Sequence, residues 1–130
     1  KVAVVTGANG GMGRAICKRL AILGASVVGV VRTKETELQE FLNQFGATHR
    51  VLRADVTNFD QINGIAKEIP RCDILVNTAG KSKIIPHMKI NELTDEYFDF
   101  LLQINLRSVF TTIRAFPHRC CSIHFFFVVE

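Results

Sequence analysis

The chain has 130 residues, 48% apolar and 22% charged, the balance of a soluble globular protein of one domain rather than two. Sixteen basic residues against twelve acidic ones leave a net charge of +4, spread along the chain rather than gathered into the stripe that nucleic acid requires. No apolar run approaches the ~20 residues that span a membrane and no signal peptide is visible, so neither a membrane nor nucleic acid is expected as partner and the cytoplasm is the expected compartment. The first residue is Lys1 rather than Met, which leaves room for an upstream segment.

Short apolar runs alternate with longer amphipathic ones. Residues 2–5 read as a buried strand, and 14–23 as a helix with Ile16, Leu20 and Leu23 on one face, stopped by Gly24. Residues 27–31, nearly all β-branched, form a second strand. Residues 35–45 form a second helix with Leu38, Phe41, Leu42 and Phe45 inward, ended by Gly46. A third strand is expected at 50–53, a third helix at 60–69 on Ile62, Ile65, Ala66 and Ile69, and a fourth strand at 73–76. A loop follows to about Asn91. Thr94 is placed to cap a long helix running to about Arg114, closed by Pro117, and 123–129 is a candidate fifth strand. This alternation predicts an α/β fold: a Rossmann-like, doubly wound parallel sheet, truncated after about five strands.

Cysteine use adds little chemistry. Cys17 falls in a helix pattern and Cys72 in a strand pattern, where free Cys behaves as a small apolar residue, and the absence of any C-x-x-C pair fits a reducing compartment. His118, Cys120, Cys121 and His124 are metal-ligand types within seven positions, but their spacing matches no usual zinc site, and no metal is expected.

The informative stretch is VAVVTGANGGMGR, residues 2–14, a strand running into a turn with four glycines and then into a helix. An open α/β sheet places its phosphate site at this first strand-to-helix junction. Free N–H groups and the positive helix end favour an anion there, and glycine lets the backbone turn sharply and lets a pyrophosphate come close. Neither the P-loop Gly-Lys-Ser/Thr nor the G-x-G-x-x-G fingerprint is present. The pattern is Thr6-Gly7-x-x-x-Gly11-Met12-Gly13, which by itself also allows a glycine turn without a ligand.

Three further signals stand at fixed places. Asp55-Val56 follows the third strand, Asn77-Thr78-Ala79-Gly80 follows the fourth, and Asn105 lies well inside the long helix. With the glycine turn, in this order and spacing, they make residues 1–116 closely resemble the short-chain dehydrogenase/reductase family. The resemblance implies that Gly7, Asn9, Gly11, Met12 and Gly13 hold the pyrophosphate of NAD or NADP and that Asp55 and Val56 meet the adenine. It implies that Asn77, Ala79 and Gly80 support the sheet and line the cofactor path, with Thr78 replacing the family's second Asn. It assigns Asn105 a catalytic part, holding a water in the proton relay.

The end of the second strand selects the dinucleotide by charge. An acid there would bond a ribose 2′-hydroxyl, whereas a base accepts a 2′-phosphate. Val31 stands where NAD-preferring relatives carry Asp, and Arg32, Thr33 and Lys34 follow. A guanidinium grips phosphate through two parallel hydrogen bonds, so NADP(H) is expected over NAD(H). The second basic residue that many NADP-using relatives carry in the glycine turn is missing at Asn9-Gly10, and Lys34 is a candidate to compensate.

The resemblance implies interconversion of a small-molecule carbonyl and alcohol, with a Ser, a Tyr and a Lys four residues after the Tyr. The one tyrosine, Tyr97, has Leu101 four residues on and reads as a packing residue. Ser122 precedes the final apolar run rather than following it. The family pattern holds to Phe116, and PHRCCSIHFFFVVE then departs from it, so 1–116 is expected to be an incomplete NAD(P)-binding domain and 117–130 an atypical tail of a fragment, a read-through intron or a frameshift. The loop from Lys81 to His87 would border a substrate mouth, with Lys83 and His87 either reaching substrate or standing as solvated loop residues. A catalytically silent NADP(H)-binding protein and a non-functional fragment are the competing readings. The family also implies a homo-oligomer through the long helix, which carries Phe98, Leu101, Leu102, Val109 and Phe110.

Overall fold

In the computed structural model, described for residues 1–116 and for the backbone of 122–125, the β-branched runs become the middle of one parallel sheet. β1 (Val2–Thr6), β2 (Ser26–Val31), β3 (Arg50–Arg53), β4 (Ile74–Asn77) and β5 (Ser122–Phe125) lie in the order β3-β2-β1-β4-β5. Val4 pairs with Val28 on one side and Leu75 on the other, and Leu75 pairs onward with Ile123. The fifth strand thus begins one residue earlier than expected; the rest of the expected run, beyond Phe125, lies outside the described residues. So do His118, Cys120 and Cys121 of the metal-type cluster.

Strand alternation sends side chains to both faces. Val4, Val28 and Val30 join Ile62, Ile65, Leu75 and Phe116 under α3 (Phe59–Glu68) and α5 (Ser108–Ala115). Val5, Val27 and Val31 join Cys17, Leu38 and Leu42 under α1 (Gly11–Ile22) and α2 (Glu35–Asn43). Both faces are covered, as near-continuous apolar strands require.

Two helices differ from expectation for physical reasons. α1 starts at Gly11, because the last turn glycines already have helical backbone. Its buried face is Gly13, Cys17 and Ala21, while Ile16 and Leu20 are half-buried and Leu23 is 66% exposed. Small residues let this helix lie close on the sheet, and the larger ones flank the contact. The long helix is continuous but not uniform. Thr94 caps α4 (Asp95–Leu102) by accepting from the Tyr97 N–H at 3.3 Å, and a π-helical turn, Gln103–Arg107, separates α4 from α5. The buried side of α5 is polar, Ser108, Thr111 and Thr112, rather than apolar. A 3-10 turn, His87–Glu92, occupies the loop before α4. Cys17 and Cys72 are buried, Cys72 lying just before β4 with its thiol directed to Ile74 O at 3.5 Å. Among the described residues no helix is long and apolar enough to cross a membrane.

Candidate functional site

The strand order reverses between β1 and β4, and the crevice beyond their carboxyl ends is where an open α/β sheet binds ligands. A cleft of about 380 Å³ opens there. Gly7, Asn9, Gly11, Met12, Gly13, Arg32, Thr33, Asp55, Val56, Ala79 and Gly80, all expected site residues, line it together with Thr78, Lys81 and Ile104.

The glycines have different reasons for being glycine. Gly7 has φ of 64° and sits against the neighbouring chain, so that an added Cβ would lie 2.5 Å from the Ala79 nitrogen. A Cβ on Gly13 would collide with the Gly7 carbonyl. These two close the crevice. A Cβ on Gly11 would meet nothing within 4 Å, so Gly11 leaves open space at the head of α1. Backbone bonds shape the turn: Ala8 N–H donates to Val30 O (3.3 Å), Gly10 N–H to Gly7 O (3.0 Å) and Arg14 N–H to Gly10 O (2.9 Å). The N-cap, Gly10, offers no side chain and the first turn holds no acid, so the first N–H groups and the positive end of the dipole remain for an outside anion. Asn9 Oδ1 is buried without a hydrogen-bond partner, an acceptor suited to a sugar hydroxyl. This donor and acceptor set fits a dinucleotide: N–H groups for phosphate, a lone acceptor for ribose, and room at Gly11.

Beyond β3, Asp55 is fixed as an Asx turn. Its Oδ1 accepts from the Thr57 N–H (2.8 Å) and hydroxyl (2.7 Å), and its own N–H donates to Gln61 Oε1 (2.8 Å). Partial burial pushes its carboxyl up, but the two Thr57 bonds and the Arg32 guanidinium outweigh this and hold it below the usual value of 3.8. Asp55 is therefore a carboxylate at neutral pH. Arg32 is exposed at the cleft edge and makes no ion pair among the described residues.

Three expected site residues stand elsewhere. Lys34 does not line the cleft. It adopts φ of 64° at the N-cap of α2, with its ammonium 3.6 Å from Glu37, which also takes Arg14 at 3.2 Å. A carboxylate one turn away thus lies beside the Lys34 ammonium, which is itself largely exposed. Asn77 lies beneath the cleft, buried; its Oδ1 accepts from Thr112 Oγ1 (2.6 Å) and Thr6 Oγ1 (3.4 Å), tying β4 to α5 and β1. Its neighbour Thr78 donates to Thr6 O (2.6 Å), so the hydroxyl that replaces an amide also ties β4 to β1. Asn105 sits in the π-turn and clasps one backbone unit, its Oδ1 accepting from Lys81 N–H (2.9 Å) and its Nδ2 donating to Lys81 O (2.8 Å). One donor and one acceptor of its amide are thus spent on positioning the loop that leaves β4, and π-turns recur at functional sites. Lys81, the first residue of the loop expected at the substrate mouth, lines the cleft, and so does Ile104, whose one signal in the sequence was adjacency to Asn105. Tyr97 packs against Phe100 at 5.9 Å with Lys83 Nζ 5.1 Å from its ring centre.

A parallel 3-2-1-4-5 sheet with a glycine turn and helix start at its switch point defines the Rossmann-like, doubly wound class of α/β proteins. The profile of the family described as short chain dehydrogenase matches residues 1–119, and the chain belongs to that family. It is 37% identical over 119 residues to an uncharacterised oxidoreductase of Staphylococcus epidermidis, covering 88% of this chain and 50% of that one. It is 39% identical over 116 residues to dehydrogenase/reductase SDR family member 6 of Rattus norvegicus, covering 89% and 45%. It is 36% identical over 121 residues to a 3-oxoacyl-(acyl-carrier-protein) reductase of Escherichia coli, covering 88% and 47%. A solved dehydrogenase/reductase from Sinorhizobium meliloti superposes with a TM-score of 0.82 at 31% identity, covering 92% of this chain and 49% of that one. The chain thus spans about half the length of the relatives it matches.

Proposed function

We propose that residues 1–116 are the nucleotide-binding portion of an NADP(H)-dependent oxidoreductase that interconverts a small-molecule carbonyl and alcohol, and that the chain works as a homo-oligomer in the reducing cytoplasm. The observation that carries the cofactor choice is Arg32: a guanidinium at the end of β2, on the cleft edge, with no described carboxylate in ion-pair contact and with Val31 before it where a ribose-binding acid would stand. Bound there, the dinucleotide supplies hydride chemistry. The chain's own residues do the holding. The N–H groups of Gly11, Met12 and Gly13 take the pyrophosphate, and Asn9 Oδ1 takes a sugar hydroxyl. Arg32 and the Thr33 hydroxyl take the 2′-phosphate, and Asp55 and Val56 border the adenine. Thr78, Ala79 and Gly80 wall the path, while Asn105 acts as a positioning residue through Lys81. The free, buried Cys17 supports the reducing compartment. Neither the substrate-side Ser nor a Tyr with Lys four residues on is among these 130 residues, so turnover belongs to a chain that contains them.

Titrating the chain with NADPH and with NADH tests the assignment. NADPH is expected to bind at least about tenfold more tightly, a difference of ~1.4 kcal/mol, and Arg32→Ala is expected to remove that preference while leaving NADH affinity unchanged. Equal affinities in the parent chain, or tighter NADH, would overturn the NADP(H) assignment.

A further inference from the structure

Among the described residues, the charged ones that line the cleft are Arg32, Asp55 and Lys81. They are divided between its two ends. Arg32 follows β2 and Asp55 follows β3, on one side of β1 and its glycine turn, whereas Lys81 follows β4, on the other side. The first end is the one that reads the adenosine ribose in a sheet of this kind. A dinucleotide whose pyrophosphate sits on the glycine turn therefore extends its other ring toward Thr78–Lys81 and Ile104. That ring is the nicotinamide, which is neutral when reduced and carries one positive charge when oxidised.

Lys81 is fixed through its backbone. Asn105 clasps its backbone through both N–H and carbonyl, at 2.9 and 2.8 Å. Its ammonium lies 5.5 Å from the centre of the Phe100 ring, one helical turn before the cleft residue Ile104. Lys81 makes no ion pair among the described residues. Asp99, the residue before Phe100, borders a separate groove with Leu102, Leu106 and Phe110. Among the described residues no carboxylate lines this end of the cleft beside Lys81, while at the Arg32 end Asp55 offsets part of the charge.

We infer that Lys81 makes the cleft discriminate the oxidation state of the bound nucleotide, favouring the neutral reduced nicotinamide over the cationic oxidised one, and so loads the site preferentially with the reduced form. This rests on the NADP(H) reading above. The phosphates are common to both forms of the nucleotide, so their attraction to Lys81 cancels in the ratio of affinities, and the ratio isolates the ring charge. The side chain is exposed, and water and salt weaken the repulsion. The expected bias is accordingly about two- to fivefold in dissociation constant, larger at low ionic strength.

The test is equilibrium binding of NADPH and of NADP⁺ to the chain by calorimetry, for the parent, Lys81→Met and Lys81→Arg, each at low and at high salt. The parent is expected to bind NADPH the more tightly. Lys81→Met is expected to bring the ratio about two- to fivefold toward unity at low salt, and Lys81→Arg to preserve it. High salt should shrink the ratio in the parent and leave it unchanged in Lys81→Met. If both nucleotides bind and Lys81→Met leaves the ratio where it was, the role of Lys81 is refuted and the nucleotide reading stands. If neither nucleotide binds the parent chain, both readings fall together.

Discussion

Gly7 and Ala79 are in backbone contact across the mouth of the sheet, close enough that a Cβ on Gly7 would stand 2.5 Å from the Ala79 nitrogen and 2.6 Å from its Cα. The contact closes the junction of β1 and β4. Gly11, four residues on, has open space where a Cβ would be. The two glycines should fail differently. Gly7→Ala adds a clash against backbone to a left-handed φ and is expected to cost roughly 3 kcal/mol of folding stability. Gly11→Ala is expected to leave stability unchanged or raise it by up to about 1 kcal/mol, yet weaken NADPH binding about tenfold. Urea unfolding and nucleotide titration of the two variants check this. Equal destabilisation by both would show that Gly11 is also there for packing.

Asn105 and Lys81 should behave as one unit. Asn105→Ala removes two hydrogen bonds to the Lys81 backbone, each worth about 1 kcal/mol net. The expected outcome is a loss of ~1–2 kcal/mol, felt locally as five- to thirtyfold faster hydrogen exchange at the Lys81 amide. Exchange at β1 amides should change only through global stability. Unaltered protection at Lys81 would show that the π-turn itself, rather than the Asn105 side chain, holds the loop.

Asp73 ties the start of the sheet together and sets an acid limit. Its carboxylate accepts from Arg71 through both oxygens and from the Val2 N–H at 2.6 Å, and these bonds, Arg71 first, outweigh slight burial to lower its value from 3.8 to about 2. A depressed carboxyl stabilises the fold above its unfolded value, near 3.8, and that contribution is lost as pH falls toward about 2. Asp73→Asn is therefore expected to lower the denaturation midpoint at neutral pH, with the gap to the parent closing between pH 3.8 and about 2. A gap constant over that range would mean that the amide replaces the carboxylate fully.

Phe98, Leu102, Leu106 and Phe110 recur at every fourth position across α4, the π-turn and α5, and are 50%, 44%, 59% and 60% exposed. An apolar stripe of this length is the kind of surface a second copy covers. Light scattering is expected to show a dimer, and the double change Leu106→Lys with Phe110→Lys to raise its dissociation constant at least about tenfold. A parent chain that stays monomeric at high concentration would exclude self-association through this face.

Much of the fold was legible because local chemistry and global topology agree. The Val-rich runs 2–5 and 27–31 are apolar on both sides, and only a buried parallel strand satisfies both. Leu38 and Leu42, and Ile62, Ile65 and Ala66, recur at helical spacing and are buried as expected. The turn from Gly7 to Gly13, Asp55-Val56 and the segment from Thr78 to Gly80, each just after a strand, meet at one cleft because strand ends of a doubly wound sheet converge.

Taken alone, the sequence determined the order of elements, the parallel sheet and the junction where a ligand can sit, since periodicity and glycine placement are local properties of the chain. Tertiary structure decided what each polar residue does. Lys34 lies beside Arg32 in sequence yet is turned to Glu37 by a left-handed backbone. Thr112, on an otherwise unremarkable helix, reaches Asn77 across 35 positions. Asn105 is directed to Lys81 across 24 positions by a π-turn that no periodicity foretold. Hydrogen-bond partners are distributed by contacts between distant segments, and those form only once the sheet has brought the ends of β1, β4 and the long helix to one place.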